Sequence, residues 1–285
     1  MTSQRESAVV PGIATRLASA VLRVTAPNAS LLTGPGTNSY LVGERDCAVL
    51  DPGPDIEKHV DALIASAPGP VRWIVLTHTH PDHSPAATRL KRATGASIVG
   101  TVAPQDGRQD YATRLDRIVR DGESVGAAGH ELLAIATPGH ASNHICYLHA
   151  ASGLLFSGDH ILNGSTTVIL APDGDMAQYL ASLERLRHVG MSGIAPGHGA
   201  VLTEPLAAVE GLIAHRLRRE AKAVDRLRAA GRVSLAELVP RVYDDVTPAL
   251  HGFARHSLEA HLIKLERERR VERDGEFWSV RDPAQ

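Results

Sequence analysis

The 285-residue chain has two cysteines, three phenylalanines, two tryptophans and almost no net charge, with Lys+Arg 30 against Asp+Glu 32. Each scarcity excludes something. Two thiols are too few for a disulfide framework. Cys47 lies in Cys47-Ala48-Val49-Leu50 and Cys146 in Ile145-Cys146-Tyr147-Leu148, so both read as small core side chains rather than nucleophiles. A formal charge of -2 provides no global field that demands nucleic acid or a membrane. No stretch approaches the ~18–20 uncharged apolar residues that span a bilayer. In residues 1–11, which carry Arg5 and Glu6, Ala8-Val9-Val10 is too short for the core of an export signal. The expectation is a cytoplasmic protein with reduced thiols and no membrane partner. Aromatics make up 4% of the chain, so the core must rest on Ala, Val, Leu and Ile. Apolar residues at 43% and charged residues at 22% exclude a wholly disordered chain.

The residue present in excess is histidine, with fifteen copies. Imidazole is a common metal ligand and an acid–base group near neutral pH, so spacing decides its meaning. From about residue 20 to 200, short β-type runs alternate with helical patterns, which argues for a layered α/β architecture. Strand candidates include Val21-Leu22-Arg23-Val24, Ser39-Tyr40-Leu41-Val42, Trp73-Ile74-Val75-Leu76 and Gly153-Leu154-Leu155-Phe156. Helices fit 56–65, 85–94 and 176–188. In the last, Tyr179, Leu180, Leu183 and Leu186 form one apolar stripe after an Asp173-Gly174-Asp175 start signal. After Pro205 the texture changes to a long charged helix over 205–230, a Ser234-capped helix over 235–243 and another over 257–270. Val271-Glu272-Arg273 then turns at Asp274-Gly275 into Phe277-Trp278-Ser279-Val280, a hairpin. Helices followed by a hairpin is the order of a winged helix. Two domains are expected, 1–205 and 206–285.

The strand ending at Leu76 runs into Thr77-His78-Thr79-His80-Pro81-Asp82-His83. Three imidazoles and a carboxylate in six residues would be a costly core without a metal. On extended backbone His78 and His80 point to the same side and can hold one ion together. The turn at Pro81 aims Asp82 and His83 at a second position. Three weaker signals also follow strands: Gly139-His140, Gly158-Asp159 and Gly197-His198. Alone, each reads as an ordinary turn. Together they add His140, Asp159 and His198 at one sheet edge, giving five His and two Asp, enough for two ions sharing a carboxylate. Asn38, His144 and His160 are further residues able to reach such a site. His59, His130, His149, His188, His251, His256 and His261 read as surface or packing residues.

Asp51-Pro52-Gly53, the His-x-His-x-Asp-His run, Gly139-His140, Gly158-Asp159 and Gly197-His198, in this order, resemble the metallo-β-lactamase superfamily over about residues 33–200. Thr37-Asn38-Ser39-Tyr40-Leu41-Val42, Pro196-Gly197-His198-Gly199 and His215-Arg216-x-x-Arg219-Glu220 narrow the resemblance to its β-lactamase-like protein 2 subgroup, whose members carry a winged-helix tail. The chain departs from that pattern at Pro85-Ala86, where a Gly pair is common, and at Ala141, where Thr is common. The resemblance implies a four-layer αββα sandwich followed by a small winged-helix domain. It also implies that His78, His80 and His140 bind a first metal, Asp82, His83 and His198 a second, with Asp159 bridging and Asp51 bracing the metal loop.

The implied activity is a binuclear metal-dependent hydrolase that uses a metal-bridging hydroxide, with Asp82 beside the solvent to orient it or take up its proton. A thiolate-free N/O ligand set suits Zn²⁺, with Mn²⁺ or Fe²⁺ also compatible. Animal members of the subgroup cleave single-stranded RNA, so an endoribonuclease or phosphodiesterase is one expectation. A thioesterase resembling glyoxalase II, or another ester or lactone hydrolase, is the alternative. The third reading is a winged-helix nucleic-acid-binding protein with an inactive hydrolase domain. Substrates are therefore a small ester or thioester, or single-stranded RNA, and an oligomer is compatible with the sequence. The tail carries a basic cluster (Arg216, Arg218, Arg219, Lys222, Arg226, Arg228), yet Glu220, Glu266, Glu268 and Glu272 interleave among its basic residues, as on a salt-bridged face.

Overall fold

The computed structural model describes residues 9–281. Most of the segment read for an export signal, residues 1–8, therefore lies outside the described residues. The chain divides into two compact units. One runs up to Thr137 and adds Asn143–Thr167 and Val189–Pro205; the other gathers Pro138–Ser142, Val168–His188 and everything from Leu206 onward. A division by sequence at residue 205 thus leaves out two segments that cluster with the C-terminal helices.

The first unit holds two sheets. The larger has the order β1 (Thr15–Ala18), β2 (Val21–Thr25), β3 (Asn38–Val42), β4 (Cys47–Leu50), β5 (Val71–Val75), β6 (Ser97–Gly100) and β7 (Arg117–Ile118), antiparallel from β1 to β4 and parallel from β4 to β7. The smaller comprises β8 (Ser124–Val125), β9 (Leu132–Ala136), β10 (Ile145–His149), β11 (Leu154–Gly158) and β12 (Gly193–Pro196) in sequential adjacency, with β11 and β12 parallel. Strand side chains alternate between faces, and both faces here are apolar. In β4, Ala48 and Leu50 join Val75, Val99, Ala134, Tyr147 and Phe156 in the layer between the sheets. Cys47 and Val49 point the other way, onto Val60 and Leu63 of α1 (Glu57–Ser66) and Ala87 and Leu90 of α2 (Ala86–Thr94). The result is a helix–sheet–sheet stack built largely of aliphatics, with Tyr40 on Phe156 at 4.9 Å in its middle layer.

The second unit is helical with a small sheet. It contains α3 (Met176–Leu186), α5 (Leu235–Val242) and α6 (His251–Arg267), together with α4 (Pro205–Ala230) from Leu206 onward. Its three strands, β13 (Arg232–Ser234), β14 (Val271–Asp274) and β15 (Phe277–Val280), pair in the order β13-β15-β14. Ser234 and Glu237 form a capping box at the start of α5, each satisfying a backbone N–H of the other. Leu227, Leu238, Val242, Leu258, Leu262, Leu265 and Trp278 make the core. The helix expected over 257–270 begins six residues earlier, at His251. Ser257 is buried inside it, and the three-residue turn at Pro248–Leu250 leads straight in. Strands β1, β7, β8 and β13 were not anticipated. Each has four residues or fewer and lies at a sheet edge, where the alternation is too short to register.

Candidate metal centre

Parallel pairing of β4 with β5, and of β11 with β12, delivers four loops from strand ends. Asp51 follows β4, the His78–His83 run follows β5, Asp159 follows β11 and His198 follows β12. Asp51 is 3% exposed and sits at φ 45, a conformation Asp tolerates better than most residues. That backbone turns its carboxylate inward, where Oδ1 accepts the Thr77 N–H at 2.8 Å. Oδ2 accepts the Thr77 hydroxyl at 2.6 Å and lies 3.0 Å from His83 Nδ1. Because the Thr77 hydroxyl donates to Asp51, its oxygen is left to accept from His78 Nδ1, 3.0 Å away. One carboxylate therefore fixes two tautomers, with the proton on Nδ1 and Nε2 as the atom able to ligate in both His78 and His83.

The remaining imidazoles are oriented by backbone carbonyls. His198 Nδ1 lies 3.1 Å from Gly36 O, and in the second unit His140 Nδ1 lies 2.7 Å from Val168 O. His78 Nε2 and His80 Nδ1 are 3.0 Å apart. The donor atoms of Asp82, His83, Asp159 and His198 all fall within 4.8 Å of one another. His83 Nε2 is 3.2 Å from Asp159 Oδ1 and 3.6 Å from Asp82 Oδ2, and His198 Nε2 is 3.2 Å from Asp82 Oδ2. Two motif glycines are required by this crowding. A Cβ on Gly197 would stand 2.5 Å from Asp159 Oδ1, and one on Gly158 would stand 2.5 Å from Thr77 Oγ1.

The electrostatics are those of closely packed carboxylates and imidazoles that favour one another's charged forms. Burial pushes the His83 imidazole down, but the Asp159 and Asp82 carboxylates outweigh it and hold its pKa well above the usual value. For His198, burial is likewise outweighed by Asp159, and the pKa rises to about 9. Burial of Asp159 is overcome by His198 and His83, which hold it well below the ordinary carboxylate range. Asp82 is lowered as well, burial yielding to His83 and to a hydrogen bond with His198.

The other expected residues brace rather than line the cluster. Asn38 is fully buried. Its amide donates to Pro196 O at 2.9 Å and Gly199 O at 2.8 Å and accepts from the Thr25 hydroxyl at 2.7 Å, so it shapes the His198 loop. His144 is buried with Nδ1 2.9 Å from Thr137 Oγ1, its ring 5.1 Å from His78 and 5.7 Å from the fully buried His160. His59 is a packing residue, 1% exposed beside Ser39, its pKa lowered to about 4 by burial. Burial pushes the Cys47 and Cys146 thiols up to about 12, the opposite of nucleophile activation. Sequence reasoning missed Thr77, although a hydroxyl between a buried strand and the first ligand was a usable signal. It also missed the chain in which Asn143 donates to Thr79 (2.9 Å), Thr79 to Gln109 (2.8 Å) and Gln109 to Asp106 (3.0 Å). Nothing local in the sequence marks Gln109 as a partner of a residue thirty positions earlier.

The sequence profile of the metallo-beta-lactamase superfamily matches residues 32–198, the span that carries all seven of the expected metal ligands. The chain belongs to the metallo-β-lactamase superfamily. It is a hydrolase of that superfamily, and the profile of the beta-lactamase associated winged helix domain matches residues 234–278. A beta-lactamase-like protein 2 homolog of Drosophila melanogaster is 31% identical over 92% of both chains. An atrochrysone carboxyl ACP thioesterase of Aspergillus terreus is 28% identical over 80% of this chain and 73% of its own. A β-lactamase domain protein from Burkholderia ambifaria shares the fold at TM-score 0.82 and 19% identity, over 97% of this chain and 96% of that one. No described helix is long and apolar enough to cross a membrane.

Proposed function

We propose that this superfamily member is a two-metal, zinc-dependent hydrolase of acyl thioesters and related esters. The observation that carries the metal assignment is His83 Nε2. It is fully buried, faces the carboxylate oxygens of Asp159 and Asp82, and makes no hydrogen bond. Lone pairs converging on one buried point from two carboxylates and two imidazoles fit a divalent cation, and an all-N/O set suits zinc. His78, His80 and His140 would hold the first ion and Asp82, His83 and His198 the second, with Asp159 shared. Bound there, the pair of ions would supply Lewis acidity, acidifying water and polarising the substrate carbonyl.

The chain's own residues do the rest. Asp82, whose side chain is 31% exposed against 12% for Asp159, is the carboxylate that reaches solvent, so it orients the attacking water and accepts its proton. Asp51 and Thr77 keep the imidazole lone pairs directed at the ions. Two observations favour a thioester over RNA. The Aspergillus relative is named for thioester hydrolysis. Half of the basic cluster on α4 is also paired: Arg219 forks onto Asp245 at 2.7 and 2.9 Å, and Lys222 and Arg226 bind Asp244. A groove for a nucleic-acid backbone needs such cations unpaired.

The test is turnover of thioesters, lactones, simple esters, phosphodiesters and short RNAs by zinc- and manganese-loaded protein, with and without chelator. Chelator-sensitive thioester hydrolysis at least about tenfold above phosphodiester cleavage is expected. Faster cleavage of RNA would replace the substrate assignment, and chelator-insensitive turnover would defeat the metal assignment.

A further inference from the structure

Within the first unit, the metal loop is gripped by residues 101–116, the segment that joins β6 to β7. Thr79, the residue between His78 and His80, is buried, and two of its atoms are held by the adjacent pair Gln109-Asp110. Its hydroxyl donates to Gln109 Oε1 at 2.8 Å, and its carbonyl accepts the Asp110 N–H at 2.7 Å. Just past His83, the buried Ser84 hydroxyl donates to Asp110 Oδ2 at 2.9 Å, and the Ser84 carbonyl accepts from the Thr113 hydroxyl at 3.3 Å. Asp110 is itself fixed by a tight turn, its Oδ1 accepting the Ala112 and Thr113 N–H groups at 2.9 and 3.2 Å. The residues on either side of the His80–His83 run are therefore tied to one hydrogen-bonded turn.

The polarity of the grip follows from Asp106. Burial of its carboxyl is outweighed by the bonds it accepts, from the Arg108 N–H at 2.9 Å and from Gln109 Nε2 at 3.0 Å, and its pKa falls below the ordinary value. A carboxylate has no proton to donate, so Gln109 must turn its NH₂ to Asp106 and its Oε1 to Thr79. The Thr79 hydroxyl must then donate to Gln109, which leaves its oxygen to accept from Asn143 Nδ2, 2.9 Å away. Asn143 Oδ1 is consequently buried without a hydrogen bond. Buried polar atoms are rarely left unpaired, and an orphan of this kind is expected where orientation has been favoured over stability.

We propose that Gln109 and Asp110 are positioning residues that set the aim of His78 and His80, and through them the affinity for the first ion. This rests on the two-metal reading of the site. A planar peptide on each side joins Thr79 to the two imidazole-bearing residues, so holding its hydroxyl and carbonyl fixes the backbone from which both rings project to one side. Asp51 and Thr77 select which ring nitrogen of His78 and His83 carries the proton; Gln109 and Asp110 act instead on the direction of the backbone, a separate lever on the same ligands. Loss of a supporting partner of this kind typically weakens metal binding ~10–100-fold.

The test is cadmium-113 NMR of the full-length protein loaded with two equivalents, together with zinc affinities from chelator competition and circular dichroism to verify the fold. His198→Ala, which lacks a ligand of the second ion, identifies the first-ion resonance as the one it retains. Thr79→Val keeps the side-chain shape without the hydroxyl, and Gln109→Met keeps the length without the amide. Each should move the first-ion resonance and lower one zinc affinity about 10–100-fold, leaving the second resonance in place. Thr79→Ser, which restores the hydroxyl, should match the wild type in both measurements. Unmoved resonances and unchanged affinities in folded Thr79→Val and Gln109→Met proteins overturn the proposal, since a grip that merely holds the fold would lower the melting temperature alone. A change confined to the resonance lost in His198→Ala overturns it as well. Wild-type protein that takes up no ion defeats the two-metal reading and the positioning role together, whereas unmoved resonances in ion-loaded variants defeat the positioning role alone.

Discussion

Replacing Asp51 by Asn separates the charge of this residue from its backbone role. Asn tolerates φ 45 about as well as Asp, so the turn after β4 survives and the change is confined to one atom. Asn Oδ1 can still accept the Thr77 N–H. An amide NH₂ then replaces Oδ2, and it meets two groups that donate to it in the wild type, the Thr77 hydroxyl and His83 Nδ1. The hydroxyl can rotate. The imidazole cannot, so His83 shifts its proton to Nε2, into the space it shares with Asp159 and Asp82. Restoring the ligating tautomer means forgoing a charge-assisted hydrogen bond, about 1.5–3 kcal/mol, which corresponds to about 10–150-fold in affinity and agrees with the ~10–100-fold typical of such supporting partners. The assay is competition between Asp51→Asn protein and a chromogenic chelator for zinc, titrated to two equivalents, with circular dichroism to verify the fold. The weaker of the two affinities should fall by that factor. Unchanged affinities for both equivalents in a folded variant would refute the tautomer argument.

Three other outcomes follow from the same geometry. His80→Ala should lose both bound metal and turnover, and retention of two metal equivalents with full activity would sink the ligand assignment. Ion-free protein should lose thermal stability as pH rises from about 6.5 through about 9, because His198 and His83 have folded-state pKa values raised above those of free imidazole, so their contribution is complete below the unfolded value and lost above the folded one. The depressed Asp82 and Asp159 act in the opposite sense, lending stability above about pH 4 that is lost on acidification. Zinc should abolish the alkaline decline, and identical melting profiles with and without zinc would contradict the cluster's electrostatics. Removing everything after residue 205 should cost activity even on a small chromogenic ester. The His140 segment is seated on α3 through Ser182 Oγ to Pro138 O at 2.8 Å and Asp175 N to Gly139 O at 2.8 Å, and α3 is held by Arg267 on Asp175 and by Arg216 over Tyr179 at 5.2 Å. Loss confined to large substrates would show that the tail serves only substrate recognition.

The sequence alone determined the layered fold and every side chain proposed here as a ligand, because both are written in local terms. Alternation such as Ala48 and Leu50 against Cys47 and Val49 announces a strand buried on both faces. Imidazoles and carboxylates packed into six residues have no stable home without a cation. Only the tertiary structure decided how those ligands are held and what surrounds them. Thr77, the Gly36 carbonyl and the spent amide of Asn38 acquire their roles through bonds to residues 26 to 162 positions away, a range no local periodicity encodes. The pairing of Arg219 and Lys222 with Asp245 and Asp244, which takes up part of an apparent nucleic-acid face, is of the same kind. Charge counted along a chain says which groups are present, and folding alone says which of them are left facing water.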